Sequence, residues 1–245
     1  MTLRSQYPSR AACGATFDNV SEPLPLFPLN AVLFPGVVMP LHIFEPRYRT
    51  LVKDLIALPP GAAREFGVVA IKVGYEVGER GVHTIQRTGC AALVTEVTAN
   101  PDGTFELIVV GRRRFHVEQL DASHEYLRAD VEWLVDGDNL DTADIVASTT
   151  KDARHLFDVY RSRVLALRGE DILEGATPDD PTDLSYTLAA ALVLGLAERQ
   201  GLLEAPDVLT RLRLGIALMR TELHAMSAIP SLPATSLART RWSPN

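Results

Sequence analysis

Between Leu24 and Arg49 the chain is dense in apolar residues and is broken by Pro25, Pro28, Pro35, Pro40 and Pro46. A helix interior rejects proline, because the missing N–H and the ring disrupt the hydrogen-bond ladder, and a central strand rejects it for the same lost donor. The segment is therefore predicted to fold as short extended pieces joined by fixed turns. Phe34-Pro35-Gly36 is predicted to turn tightly between two buried strands.

Strand patterns continue to about residue 138. Phe66 to Val73 is a short apolar run rich in β-branched residues and ended by Gly74, which reads as a buried strand. Cys90 to Val97 reads as another, and Pro101-Asp102-Gly103 as the turn into Phe105–Val110. Gly111 is expected to break that strand, with Arg114–Leu120 and Leu127–Val135 completing the set. Turns at this spacing indicate an antiparallel sheet curled into a barrel or sandwich. One helix interrupts the strands: Pro46 suits a first helical position, Tyr48, Leu51, Val52 and Leu55 share a face, and Pro59-Pro60-Gly61 stops it.

Beyond residue 138 the period becomes helical. Asp141 or Thr142 is expected to cap a helix that reaches Arg168, with Gly169 as its stop. Ile145, Thr149, Leu156, Tyr160, Val164 and Leu167 form its apolar stripe. Asp183 is expected to cap a second helix bearing Leu184, Leu188, Leu192 and Leu196 and ended by Gly201. Pro206 opens a third, with Leu209, Leu212, Ile216, Met219, Leu223 and Met226. Three such helices joined by short loops pack as a bundle. The fold class expected is α+β: an antiparallel β pseudo-barrel with one short helix over 23–138, then a bundle of three or more helices over 139–228. Residues 1–22 and the proline-rich 229–245 are expected to be flexible ends.

Charge narrows the possible partners. The formal net charge of −7 argues against a chain that binds nucleic acid by neutralising phosphates, and against a polybasic membrane surface. Residues 1–125 carry 12 basic and 13 acidic residues, whereas residues 126–245 carry 12 and 18, so the helical half holds nearly all the excess negative charge. Cys13 and Cys90 are the only cysteines, too few for a thiolate zinc site and consistent with two free thiols in a reducing cytoplasm. No apolar run approaches the roughly 20 residues of a membrane span, and the N-terminus lacks the apolar core of a secretory signal.

The opening segment resembles the N-terminal substrate-binding domain of Lon proteases. The resemblance rests on Pro25–Leu29, on Leu33–Gly36, on the strand-to-helix junction Pro40–Tyr48 and on the later turn Gly111–Phe115. The helical half is similar around Leu184-Ser185, Glu198–Glu204 and Arg211-Leu212, so the resemblance spans roughly residues 23–225. It implies a PUA-like pseudo-barrel followed by helices, and recognition of unfolded or degron-bearing polypeptide without catalysis. The ATPase and protease domains of Lon are not expected here; no Gly-Lys dipeptide occurs to build a Walker A loop, and the chain reads as a stand-alone recognition domain. The resemblance implies mainly architectural roles for Pro35, Gly36, Glu45, Pro46, Arg47, Tyr48, Gly111, Arg114 and Phe115. Glu45 and Arg47 are close enough to fix the junction.

Candidate chemistry elsewhere is sparse. Ser148 and Lys151 match an S-x-x-K pair, but no Lys-Thr-Gly partner exists, so a solvated helix face is the better account. None of the six histidines has the i, i+4 spacing of a helical zinc site; His42 lies near Glu45, and a packed histidine is preferred to a ligand there. Arg112-Arg113-Arg114 is the one basic cluster and reads as a solvated hairpin end. No cofactor, metal or catalytic residue is expected. The surface expected to receive a peptide is the apolar set Phe27, Phe34, Val38, Met39 and Phe44, by strand addition or side-chain pockets. The competing readings are a PUA-like RNA-binding protein, a hydrolase built on Ser148, and a scaffold whose acidic bundle docks another protein such as a separate protease.

Overall fold

The structure is a computed structural model that describes residues 23–74, 82–137, 143–169, 171–173 and 176–228. The expected flexible ends and the Asp141 or Thr142 cap lie outside these residues.

The prolines divide the opening as expected. Strand β1 (Leu24–Leu29) and strand β2 (Val38–Ile43) are separated by a loop whose end is a type II turn: the Val37 amide donates to the Phe34 carbonyl at 3.1 Å, and Gly36 sits at φ +78°. Only glycine adopts that conformation at little cost, and Pro35 presets the φ before it. Helix α1 (Pro46–Ala57) begins on Pro46 and buries Tyr48, Leu51, Val52 and Leu55. Strands β3 (Glu65–Gly74), β4 (Val82–Ala99), β5 (Phe105–Asp121) and β6 (Arg128–Leu134) follow.

The order across the sheet is β2-β5-β4-β3-β1-β6, and β6 also pairs with β5. The last pairing closes β5, β4, β3, β1 and β6 into a ring, while β2 lies outside it on the first half of β5. All pairings are antiparallel except β1 with β3, which run parallel from Leu26↔Gly67 to Leu29↔Ala70. A parallel pair needs a long crossover, and β2 with α1 supply it.

Two apolar layers result. Leu26, Val69, Ile85, Phe115, Val117 and Ala129, one or two from each ring strand, fill the lumen. The Phe115 ring occupies the space over Gly67 and Gly89, where an added Cβ would come within 2.6 and 2.5 Å of its Cζ. The larger cluster lies outside the ring, where Phe27, Val68, Cys90 and Leu107 pack under α1 and β2.

Gly111 does not break its strand, contrary to expectation. Strand β5 runs through it, and an added Cβ would meet the Phe34 carbonyl oxygen at 2.1 Å. The glycine is there for close approach of two backbones: Gly36 donates to the Gly111 carbonyl at 2.8 Å, and Gly111 donates to Val37 at 2.9 Å.

Among the described residues the helical half has four helices, α2 (Ala143–Arg168), α3 (Pro181–Ala191), α4 (Leu196–Glu204) and α5 (Val208–Ala228). Gly169 ends α2 at φ +76°, as expected. The stripe of α2 is rotated from the expected one: Thr150, Ala153, Phe157, Tyr160 and Val164 are buried, whereas Ile145 and Leu167 are exposed. The cap of α3 is Asp180, whose carboxylate accepts from the Thr182 and Asp183 amides, so Asp183 lies inside the first turn. The expected single helix to Gly201 is two helices. Leu192 leaves the helical conformation, the Val193 amide donates to the Tyr160 hydroxyl at 3.1 Å, and the Glu198 carboxylate accepts from the Gly195 amide to start α4. The α5 start is capped by Asp207 rather than opened by Pro206. Tyr186, Ala189, Leu202 and Leu203 join the core outside the ring, so barrel and bundle share one apolar layer.

Candidate functional site

The five apolar residues expected to meet a ligand separate by burial. Phe27 and Phe34 are interior: Phe27 packs on Tyr48 and Phe66, and Phe34 faces Tyr186. Both belong to the core and not to an exposed surface, a correction with two causes: α1 covers the face of β1 that carries Phe27, and Phe34, in the loop between β1 and β2, is covered by the bundle at Tyr186. Met39 is half-buried against the same core. Val38 and Phe44 are 55% and 49% exposed, at the two ends of β2.

Among the described residues strand β2 is an edge strand, paired through Val38↔Val110 to Ile43↔Phe105 with β5 alone. The Val37 carbonyl is already bonded toward β5, and antiparallel alternation then points the backbone groups of Met39, Leu41 and Ile43 to β5. Those of Val38, Pro40 and His42 point to the open edge. Because Pro40 has no N–H, the edge offers two donors and three acceptors. Proline in mid-strand is tolerated only on such an edge, and there it blunts edge-to-edge self-pairing.

The face beside the edge continues the pattern. Val38, Pro40 and His42 stand opposite Val110, Ile108 and Glu106, and Glu96 and Thr98 follow on β4. His42 Nδ1 lies 2.6 Å from Glu106 Oε1, and the His42 ring stacks on Phe44 at 5.9 Å. His42 thus pairs with Glu106 and not with Glu45. Glu45 instead accepts from Arg47 Nε at 3.1 Å and holds the entry to α1, while the Arg47 guanidinium covers the Tyr48 ring.

A second polar assembly ties barrel to bundle. Arg114 and Arg211 are 3% and 1% exposed, and both bind the Asp136 carboxylate: Arg114 through Nη2, and Arg211 at 2.6 Å. Two guanidiniums on one carboxylate leave a buried positive charge. It is balanced by the carbonyl end of α4, where Arg114 donates to Leu203 and Ala205 at 2.7 and 2.6 Å and Arg211 donates to Leu202 at 3.2 Å. The last carbonyls of a helix have no partner of their own and form the negative end of its dipole. Arg211 also lies over the Tyr186 ring at 4.0 Å, and burial pushes the Tyr186 hydroxyl to a higher pKa. Arg114 is therefore not part of a solvated hairpin end. Arg113 stacks on Trp133 at 3.4 Å, which leaves Arg112 as the exposed member of the run. Sequence reasoning missed Asp136 and Tyr186; their signal is only that an interior arginine needs an acid.

An open cleft of about 500 Å³ lies where β3, β4 and β5 meet the end of α4, lined by Lys72, Thr84, Gln86, Arg87, His116 and Glu204. Its polar groups are partly engaged, Arg87 with the Val117 and Glu118 carbonyls and Glu204 with Gln200 Nε2. Ser148 donates its hydroxyl to the Ile145 carbonyl, within its own helix. Among the described residues no group of three His, Cys, Asp or Glu side chains is placed to hold a metal ion, and no helix is long and apolar enough to cross a membrane. Cys90 is fully buried, and burial pushes its thiol up to about 12; Cys13 lies outside the described residues.

The comparisons with known proteins agree with this architecture. The family described as "ATP-dependent protease La (LON) substrate-binding domain" matches residues 23–221. Lon protease 2 of Syntrophobacter fumaroxidans is 27% identical over 194 residues, covering 78% of this chain and 23% of that protein. The Lon protease of Escherichia coli K12 is 26% identical over 214 residues, 83% of this chain and 25% of that protein. The chain thus spans about a quarter of the length of these relatives. Among solved structures, a Lon N-terminal domain protein from Xanthomonas campestris superposes with a TM-score of 0.53 at 24% identity, over 86% of this chain and all of that one. The N-terminal domain of a Mycobacterium avium complex Lon protease gives 0.57 at 19% identity, over 81% of this chain and 98% of that one.

Proposed function

From the premise that this chain belongs to the Lon substrate-binding domain family, we propose that it is a non-catalytic recognition module for extended polypeptide, and that the open edge of β2 is where the polypeptide docks. The observation that carries the reading is the juxtaposition of free backbone groups at Val38, Pro40 and His42 with exposed apolar side chains at Val38 and Phe44. An unfolded chain supplies what such an edge lacks: a row of amides and carbonyls for affinity, and alternate side chains for the apolar face. A folded protein, with its own backbone already paired, supplies neither. The matched family covers only the recognition part of Lon, which supports binding without turnover. The cytoplasmic location belongs to the same proposal.

The reading is tested by titrating the protein with a permanently unfolded, casein-like polypeptide by calorimetry, and by probing a peptide array in the absence of ATP. Heat of binding and discrete peptide spots are the expected results. Absence of both overturns it.

A further inference from the structure

We infer that the strand captured at the β2 edge is drawn from apolar segments interspersed with basic residues, and that acidic segments are rejected. The inference rests on the polypeptide-recognition reading and adds a charge rule to it.

The face next to the edge is apolar at its centre and acidic at its margins. Val38, Pro40, Ile108 and Val110 form the centre, with Ile108 and Val110 half-buried. Glu106 stands beside His42, its side chain 52% exposed, and Glu96 is the exposed partner of Ile108 on the far side. Asp102 lies at the tip of the β4–β5 hairpin, where the hydroxyl and amide of Thr104 hold its carboxyl below the usual carboxylate range. Of the α1 guanidiniums, Arg47 is held by Glu45 and Arg49 lies against Gly103, beside Asp102 in the hairpin turn, so the carboxylates this face leaves to a ligand are Glu106 and Glu96. His42 contacts Glu106 through one of its two carboxylate oxygens.

An added strand lies about 4.8 Å from β2 and places alternate side chains on this same face. Valine-sized groups there meet Val38 and Pro40. A lysine or arginine next to them reaches over His42 to the Glu106 carboxylate and there sits within a Debye length of Glu96. A glutamate in the same place meets the field of Glu106 and Glu96 instead. Exposed pairs contribute little singly, so the expected discrimination is about threefold to tenfold in affinity.

The test uses the full chain and short capped, fluorescent peptides in which valine alternates with lysine, with glutamine or with glutamate. The expected order of affinity is lysine, glutamine, glutamate, with the gap shrinking as salt is raised. In the E96Q/E106Q variant, two exposed substitutions, the lysine–glutamate gap is expected to close. Equal affinity for the three peptides overturns the charge rule while leaving polypeptide recognition standing. Absence of binding by every peptide overturns recognition and the rule together. A gap that persists in the variant overturns the assignment of the rule to this face.

Discussion

The Arg211 guanidinium and the Asp136 carboxylate meet at 2.6 Å, from the last helix and from the segment that leaves the barrel. Asp136 is also the partner of Arg114, so a single carboxylate serves two buried cations.

Removing that carboxylate leaves both guanidiniums without their acid. Asp136→Ala is therefore expected to cost about 3–5 kcal/mol in urea unfolding, the range for breaking a buried pair. Arg211→Met is expected to cost less, because Asp136 retains Arg114 and the thioether fills part of the space. The reverse order of the two losses would exclude this division of labour.

Two glycines separate side-chain crowding from backbone crowding. At Gly67 an added Cβ meets only side-chain tips, of Phe115, Leu26 and Leu24, at 2.6 to 2.9 Å. Gly67→Ala is expected to cost about 1–3 kcal/mol, and Phe115→Leu in the same chain is expected to recover part of it. At Gly111 the Cβ meets the Phe34 carbonyl. Gly111→Ala is expected to lose more, and truncating Phe34 is not expected to restore it. Thermal melts of the single and double variants give the answer.

Surface and core residues of the opening segment are expected to respond differently. Val38→Asp and Phe44→Ala leave stability within about 0.5 kcal/mol, as exposed substitutions do, and weaken binding of an unfolded polypeptide about tenfold. Phe34→Ala costs about 3–5 kcal/mol of stability instead. Calorimetry paired with urea unfolding distinguishes the two classes, and unchanged affinity in Val38→Asp would remove the β2 edge from consideration.

The Cys90 thiol gives a pH signature. Its folded pKa, pushed up to about 12, exceeds the ordinary 9.0, so the unfolded chain releases this proton first as the pH rises. Its contribution to stability is constant below about pH 9 and is lost progressively between the two values, by the linkage of proton binding to unfolding. In a Cys13→Ser background, a thiol reagent at pH 8 is expected to leave the native protein unlabelled and to label it promptly in denaturant. Rapid native labelling would contradict the burial.

Much of the barrel is legible in the sequence because its signals are local. Proline spacing marks β1, the type II turn and β2; Pro46 and the apolar face from Tyr48 to Leu55 mark α1; Asp102-Gly103 marks the hairpin. What is not legible depends on distant neighbours. Gly111 looks like a strand breaker until Phe34 is placed against it. The stripe through Ile145 and Leu167 is a fair helical pattern, yet α5 packs against the neighbouring face through Phe157 and Tyr160. The break between α3 and α4 comes from Tyr160, thirty-three residues before Val193. Exposure within the expected apolar set was only partly legible: Val38 on β2 and Phe44 just beyond it reach the surface, whereas Phe27 and Phe34 share their composition but are interior, and composition alone cannot tell the two apart.

The pairing of Leu24 with Ala129 sets the order of events during synthesis. Strand β1 is made before its second neighbour, which follows roughly a hundred residues later, a separation that makes ring closure a late, high-contact-order step. Until β6 arrives, β1 has a bare side, and the nascent chain carries a second open edge beside that of β2. On the function proposed above, the domain is thus, for several seconds of its own making at ordinary elongation rates, the kind of chain it would bind.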